Sequence, residues 1–169
     1  KGVVLAGGLG SRLRPLTRVT NKQLLPVYDK PMIFYPIQTL VEAGVTDIML
    51  VTGGNNAGEF LRLIGNGEEF GLRHMNYAYQ KTEGGIADAL SLCKHFVGDD
   101  KVVVILGDNF VQGSIRKAAE DFERHLADVI AVIDRRDALV VERDHRPNVD
   151  GHGCARLPFD ARRIARSQR

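Results

Sequence analysis

The chain has 169 residues, 44% of them hydrophobic, and a formal net charge of +2 at pH 7. This suits one globular domain with a real core, and so small a charge gives no argument for a nucleic-acid or membrane-surface partner. No apolar stretch approaches the ~20 residues of a bilayer span and no cleavable leader pattern follows Lys1, while Cys93 and Cys154 lack C-x-x-C spacing; the expectation is a cytoplasmic protein with reduced thiols, neither disulfide-stapled nor zinc-bound.

The first element is a buried strand, Val3 to Ala6, that runs straight into Gly7, Gly8 and Gly10 and then Ser11, Arg12 and Arg14. Bare backbone lets amide N–H groups approach phosphate oxygens and guanidinium supplies matched charge, so a strand ending this way outlines a polyphosphate site. It is not the dinucleotide fingerprint, because Leu13 stands where the third glycine would fall, and no G-K-[ST] follows to make a Walker loop. The same glycines suit a plain tight turn and the same cations a solvated loop; Arg12, Arg14 and Lys22 close behind the glycines favour an anion. Lys22 and Gln23 form a polar pair in the otherwise apolar stretch TNKQLLPVYDKPM. Lysine is a compact point charge suited to phosphate and a glutamine amide can pair with a ribose or a base edge, although ordinary surface polarity explains both equally well.

A helix is predicted over Met32–Ala43, with Pro31 or Pro36 near its start and Gly44 as its stop, then a strand over Asp47–Thr52 and a helix over Ala57–Ile64. Met75–Gln80 reads as a strand whose last residue, Gln80, could offer a donor and an acceptor to the imide face of a pyrimidine. Gly84 and Gly85 open a predicted helix over Ile86–Phe96, where a flat ring could lie against backbone or the chain could simply turn. The strand Val102–Gly107 leads directly into Asp108 and Asn109. A helix over Ile115–Leu126 and a strand over Asp128–Ile133 follow. The fold class expected is α/β, a Rossmann-like mostly parallel sheet with helices on both faces.

In such sheets ligands gather outside the carboxyl ends of the strands, and the glycine loop, Gln80 and Asp108 with Asn109 all fall there. A carboxylate in that place is a natural Mg²⁺ ligand alongside water and substrate phosphate, or else a cap for the next turn. The five histidines show no metal spacing and read as surface or capping residues, and no Ser, His and acid arrangement supports a hydrolase.

With those residues in hand, LAGGLGSRLRPLT, NKQLLPVYDKPMIFYPIQTL, GGIADAL and VILGDN resemble the sugar-nucleotidyltransferase family, over about residues 1–126. The resemblance implies a nucleotide-diphospho-sugar transferase type of fold and an Mg²⁺-dependent enzyme that joins a nucleoside triphosphate to a sugar 1-phosphate and releases pyrophosphate. The branch it resembles most uses dTTP and glucose 1-phosphate, yields dTDP-glucose for deoxysugar and polysaccharide pathways, and forms homo-oligomers. It implies that Gly8, Gly10, Ser11 and Arg12 hold the triphosphate beside Lys22, and that Gln23 and Gln80 face ribose and base. Gly85 would line the base pocket, Asp108 would take the metal and Asn109 would lie toward the sugar, with Arg12, Lys22 and Asp108 as the catalytic set. A UTP-using relative, a nucleotide-binding module without turnover, and a dinucleotide oxidoreductase are the alternatives; Leu13 and the lack of an acid at the end of the second strand speak against the last.

Past Leu126 the resemblance stops short. The family continues with a sugar loop, a Glu-Lys-Pro element whose lysine holds the sugar phosphate, and a second metal-binding aspartate, and none is recognisable here. Residues 1–126 carry 14 basic and 14 acidic side chains, whereas 127–169 contain nine arginines, seven acids and no lysine. The expectation is a core over 1–133 and a divergent, poorly ordered tail over 134–169, from a truncated or frame-shifted reading that the other frames of the coding DNA would reveal.

Overall fold

Two runs of apolar residues without a polar interruption, GVVLA and VVVIL, form the centre of the sheet, and their composition follows from their place: both faces are covered, so neither face can be polar. The computed structural model describes residues 1–124 apart from 9, 55–56 and 82–83, together with the backbones of 129–133 and 138–142. In chain order the elements are β1 (Gly2–Ala6), a hairpin of β2 (Pro26–Val27) and β3 (Lys30–Pro31), α1 (Phe34–Glu42), β4 (Asp47–Gly53), α2 (Ala57–Ile64), β5 (His74–Gln80), α3 (Gly85–Ser91), α4 (Lys94–Val97), β6 (Val102–Leu106), α5 (Arg116–Arg124), β7 (Val129–Ile133) and β8 (Ala138–Glu142).

The large sheet has the order β5-β4-β1-β6-β7-β8, parallel throughout except for the antiparallel pair of β7 and β8. Alternate residues of the central strands serve opposite faces, as the pleat requires. Val4, Ala6, Val103 and Ile105 join Ile37 and Leu40 of α1 and Phe60 and Ile64 of α2 on one side, while Val3, Leu5, Val102 and Val104 join Ala89 and Cys93 on the other. Burial pushes the Cys93 thiol up to about 11, so this cysteine stays a protonated core group.

Local signals explain most of the boundaries. Pro36 sits in the first turn of α1, where an amide has no partner inside the helix to lose. The helix ends at Gly44, which has φ +91; its N–H donates to Val41 O at 2.9 Å and that of Val45 to Leu40 O at 3.1 Å, the paired bonds of a Schellman stop.

One expectation needs correction, and two further pairings were not foreseen. The helix predicted over Ile86–Phe96 is two, α3 and α4, because the turn between them tightens: Cys93 N–H donates to Leu90 O, three residues back, and Ser91 Oγ donates to Asp88 O at 2.7 Å. Pro26–Val27 and Lys30–Pro31 pair as a two-residue ladder that periodicity could not show, being too short for any pattern. Nor was β8 foreseen: Ala138–Glu142 pairs with β7 from Ile133↔Ala138 to Val129↔Glu142. The apolar run ALVV, closed off by charged residues on both sides, was the available signal; residues 143–169 lie outside the described residues.

Candidate active site at the switch point of the sheet

From β1 the chain builds outward in one direction to β4 and β5, then returns to place β6 on the other flank of β1 and continues to β7. The order therefore reverses between β1 and β6, and the carboxyl ends of those two strands diverge into a crevice. The glycine loop leaves one lip and Asp108 the other.

Lys22 joins them. Its Nζ lies 2.5 Å from Asp108 Oδ2, with both side chains about a quarter exposed (24% and 23%). The lysine is carried on a short 3-10 turn, Lys22–Leu24, capped by Asn21, whose Oδ1 accepts from Gln23 N at 3.0 Å. Gly10 packs directly beneath it: a Cβ there would stand 2.9 Å from both Lys22 Cβ and Thr17 Cγ2, and Thr17 Oγ1 donates to Gly10 O at 2.8 Å. Glycine loop, Lys22 and Asp108 are thus one construction no wider than a lysine side chain.

Gly10 also has φ +59, which an L side chain adopts only at a cost. Gly10→Ala is expected to destabilise the fold by about 1–3 kcal/mol through strain and forced displacement of Lys22 and Thr17. Thermal or urea unfolding checks it, and an unchanged midpoint would show that the loop relaxes freely.

Gln80 closes the third side. Although it ends the edge strand β5, a Cβ on Gly7 would be 2.9 Å from its Oε1, so the side chain reaches back across β4 to the glycine loop. Its Nε2 donates to Asp88 Oδ2 at 2.8 Å and to Gly85 O at 3.2 Å. With both amide protons engaged, Gln80 presents an acceptor to the crevice instead of the donor and acceptor expected from its type alone.

Gln23 is buried beneath the same crevice, 5% exposed, and a Cβ on Gly107 would touch its Cγ at 3.1 Å. Its Oε1 has no hydrogen-bond partner among the described residues, and neither does Thr52 Oγ1 near the end of β4; buried polar atoms of this kind ordinarily find a partner. Asn109, directly after Asp108, is buried, 2% exposed, and its backbone N–H donates to Leu106 O at 3.1 Å. Ser11, Arg12 and Gly85 are solvent-exposed, and Arg12 lies on the 3-10 turn Ser11–Leu13 directly after Gly10. Gly8 is exposed too, and a Cβ on it would meet nothing within 4 Å, so the space beside its backbone is open.

Sequence reasoning missed Thr17, Asn21, Asp88 and Gly107. Only Asn21 had a local signal, as a cap ahead of a short turn; the others matter through contacts with distant residues. A cavity of about 150 Å³ opens at the opposite, amino end of the strands, between Thr46, Asp47, Lys101 and Phe122, and contains none of the predicted site residues. There His74, exposed, sets its Nδ1 2.6 Å from Asp47 Oδ1, and that hydrogen bond holds the Asp47 carboxyl below its ordinary value.

The donor set suits a magnesium ion that arrives with a phosphate ligand. Among the described residues no group of three or more His, Cys, Asp or Glu could cage an ion unaided. Mg²⁺ needs only one or two carboxylates when phosphate and water complete its shell, and Asp108 already faces a cation in the Lys22 ammonium.

Comparison with known proteins carries the same architecture. A nucleotidyl transferase family model matches residues 1–148, past Leu126 and through β8. A glucose-1-phosphate thymidylyltransferase of Actinoplanes sp. is 44% identical over 149 residues, 85% of this chain and 48% of that protein. One of Streptomyces antibioticus is 40% identical over 162 residues, 96% of this chain and 42% of that protein. The chain thus spans less than half the length of these curated relatives. Among solved structures, a Bacillus anthracis protein assigned as a glucose-1-phosphate thymidylyltransferase, in complex with a sucrose, superimposes with a TM-score of 0.72 at 41% identity, covering 87% of this chain and 65% of that one. A UTP-bound UGPase from Acinetobacter baumannii shares the fold at 24% identity, with a TM-score of 0.62 over 75% of this chain and 53% of its own. No helix among the described residues is long and apolar enough to cross a membrane. A match that takes in every element from β1 to β8, with 44% identity to one relative over 85% of the chain, makes this protein a member of the nucleotidyl transferase family.

Proposed function

We propose that the chain supplies the nucleotide-binding half of a glucose-1-phosphate thymidylyltransferase, joining dTTP and glucose 1-phosphate into dTDP-glucose and pyrophosphate. The observation that carries this reading is the Lys22–Asp108 contact across the switch point, which brings the glycine loop and the carboxylate to the two lips of one crevice.

The chemistry asks little of the protein beyond placement. A sugar phosphate has a second pKa of about 6, so its attacking oxygen is largely anionic near neutral pH and needs no general base. That oxygen forms a bond to the α-phosphorus as the bond to the β-phosphate bridge breaks and pyrophosphate leaves with the electron pair. Two polyanions must be held in line, which is a task of positioning and charge neutralisation. The open backbone at Gly8 and the turn from Gly10 through Ser11 would receive the triphosphate. Arg12 and Lys22 would neutralise its oxygens, Gln23 and Gln80 would meet ribose and base, and Gly85 would line the base pocket. Asp108 would hold Mg²⁺, which supplies Lewis-acid neutralisation of the phosphates; Asn109 would stand toward the sugar side.

Release of pyrophosphate from dTTP plus glucose 1-phosphate with Mg²⁺, measured beside the thermal midpoint, tests the reading. Ligand at 100 times its Kd adds about 2.7 kcal/mol of stability. Turnover supports the transferase. Stabilisation by dTTP without turnover selects a binding module. No stabilisation by any nucleoside triphosphate removes both. Repeating the assay with UTP decides the base, which differs only by a methyl group worth ~1–3 kcal/mol.

A further inference from the structure

Gln80 is held from outside the crevice. Asp88, half-buried in the first part of α3 and eight residues further on, takes one proton of the Gln80 amide at 2.8 Å, and the carbonyl of Gly85 takes the other at 3.2 Å. A carboxylate and a carbonyl are acceptors only, so the amide has one orientation: Nε2 toward α3 and Oε1 toward Gly7. The carboxylate itself is tightly seated. A Cβ on Gly84 would stand 2.5 Å from Asp88 Cγ, so the backbone of 84 closes over it with no room for a side chain. An acid in the first turn also suits a helix dipole, but that role would need no partner on another element.

We propose that Asp88 is a positioning residue that fixes Gln80 as a pure acceptor and so makes the crevice select a base carrying an imide N–H, as thymine and uracil do, over cytosine. Cytosine places a lone pair where the imide places a proton. Facing Oε1, it puts two acceptors in opposition and leaves both unpaired. A free glutamine would simply rotate its amide and serve either base. Held by Asp88 and Gly85, it cannot rotate without breaking two hydrogen bonds.

The inference rests on the nucleotide reading of the crevice, and the experiment separates the two. Affinities for dTTP and dCTP, each with Mg²⁺, are measured by calorimetry on the full chain, on Asp88→Ala and on Asp88→Asn, with circular dichroism confirming that each is folded. The parent chain is expected to prefer dTTP by about a hundredfold or more, and Asp88→Ala to reduce that ratio by about tenfold, mainly through tighter dCTP binding. Asp88→Asn, which keeps a carbonyl acceptor, is expected to retain most of the preference. Should Asp88→Ala fail to fold, the Asn variant and the Gln80 side-chain amide protons carry the test: by NMR those protons are expected to exchange slowly with solvent in the parent.

A role confined to the helix would weaken both nucleotides alike and leave the ratio unchanged, and that result overturns the proposal while nucleotide binding stands. Equal affinities in the parent, or fast-exchanging Gln80 amide protons, overturn it likewise. If the parent binds neither nucleotide, the reading of the crevice falls first and this inference with it.

Discussion

Asp108→Asn is expected to remove the magnesium dependence of dTTP binding and to lower any pyrophosphate release by roughly a hundredfold to a thousandfold, the scale of losing one preorganised electrostatic group. The substitution isolates charge from shape. Asparagine caps turns as well as aspartate does, so if Asp108 served only the turn after β6 the variant would behave as the parent. The fold should hardly notice the loss. Lys22 and Asp108 are each about a quarter exposed, and ion pairs in such contact with solvent contribute about 0–1 kcal/mol. A second sign strengthens the test: without magnesium the variant should bind dTTP more tightly than the parent does, since a carboxylate that repels phosphate is gone and the Lys22 ammonium is released toward the ligand. Calorimetric titrations with and without Mg²⁺ read both effects. A variant that keeps the parent's magnesium dependence would remove Asp108 from the site.

Phe60→Ala is expected to cost about 3–5 kcal/mol, the largest stability loss of any change considered. Phe60 and Ile64 lie one turn apart on the buried side of α2 and enter the cluster that contains Leu50 of β4 and Leu72, whereas Leu61 on the same helix is 53% exposed. Removing the ring leaves a cavity among residues held by the sheet, which cannot collapse to fill it. For a chain of this size the midpoint should fall by roughly 10 °C, at ~2–4 °C per kcal/mol. Leu61→Ala is the control and should move it little. The loss also reaches the crevice. Thr20 Oγ1 donates to Glu59 Oε2 at 3.0 Å, tying α2 to the loop that carries Lys22, so nucleotide affinity should weaken along with stability. A midpoint within a degree of the parent would mean that α2 contributes little to the core.

Much of this protein is written in local pattern. The unbroken apolar runs of β1 and β6 could be read as strands covered on both faces, α2 falls over the residues its periodicity indicates, and Gly44 ends α1 as a stop signal should. Such features depend on neighbours a few residues away, and a sequence carries those directly. The break between α3 and α4 was hidden because a side chain, Ser91, competes for backbone there, and the hairpin of β2 and β3 because two residues have no period.

By itself, then, the sequence determined an α/β sheet, a glycine-and-cation loop after the first strand, and an acid and a glutamine at the ends of two others. Tertiary structure alone decided that these groups meet: strand order puts β6 against β1, so Lys22 spans to Asp108, 86 residues away, and Gln80 reaches the glycine loop from an edge strand. It also decided which face of the Gln80 amide the crevice presents, because that orientation is set by Asp88 on another element. Hydrogen bonding and ion pairing act over about 3 Å whatever the separation along the chain, and only the folded order of strands converts one kind of distance into the other.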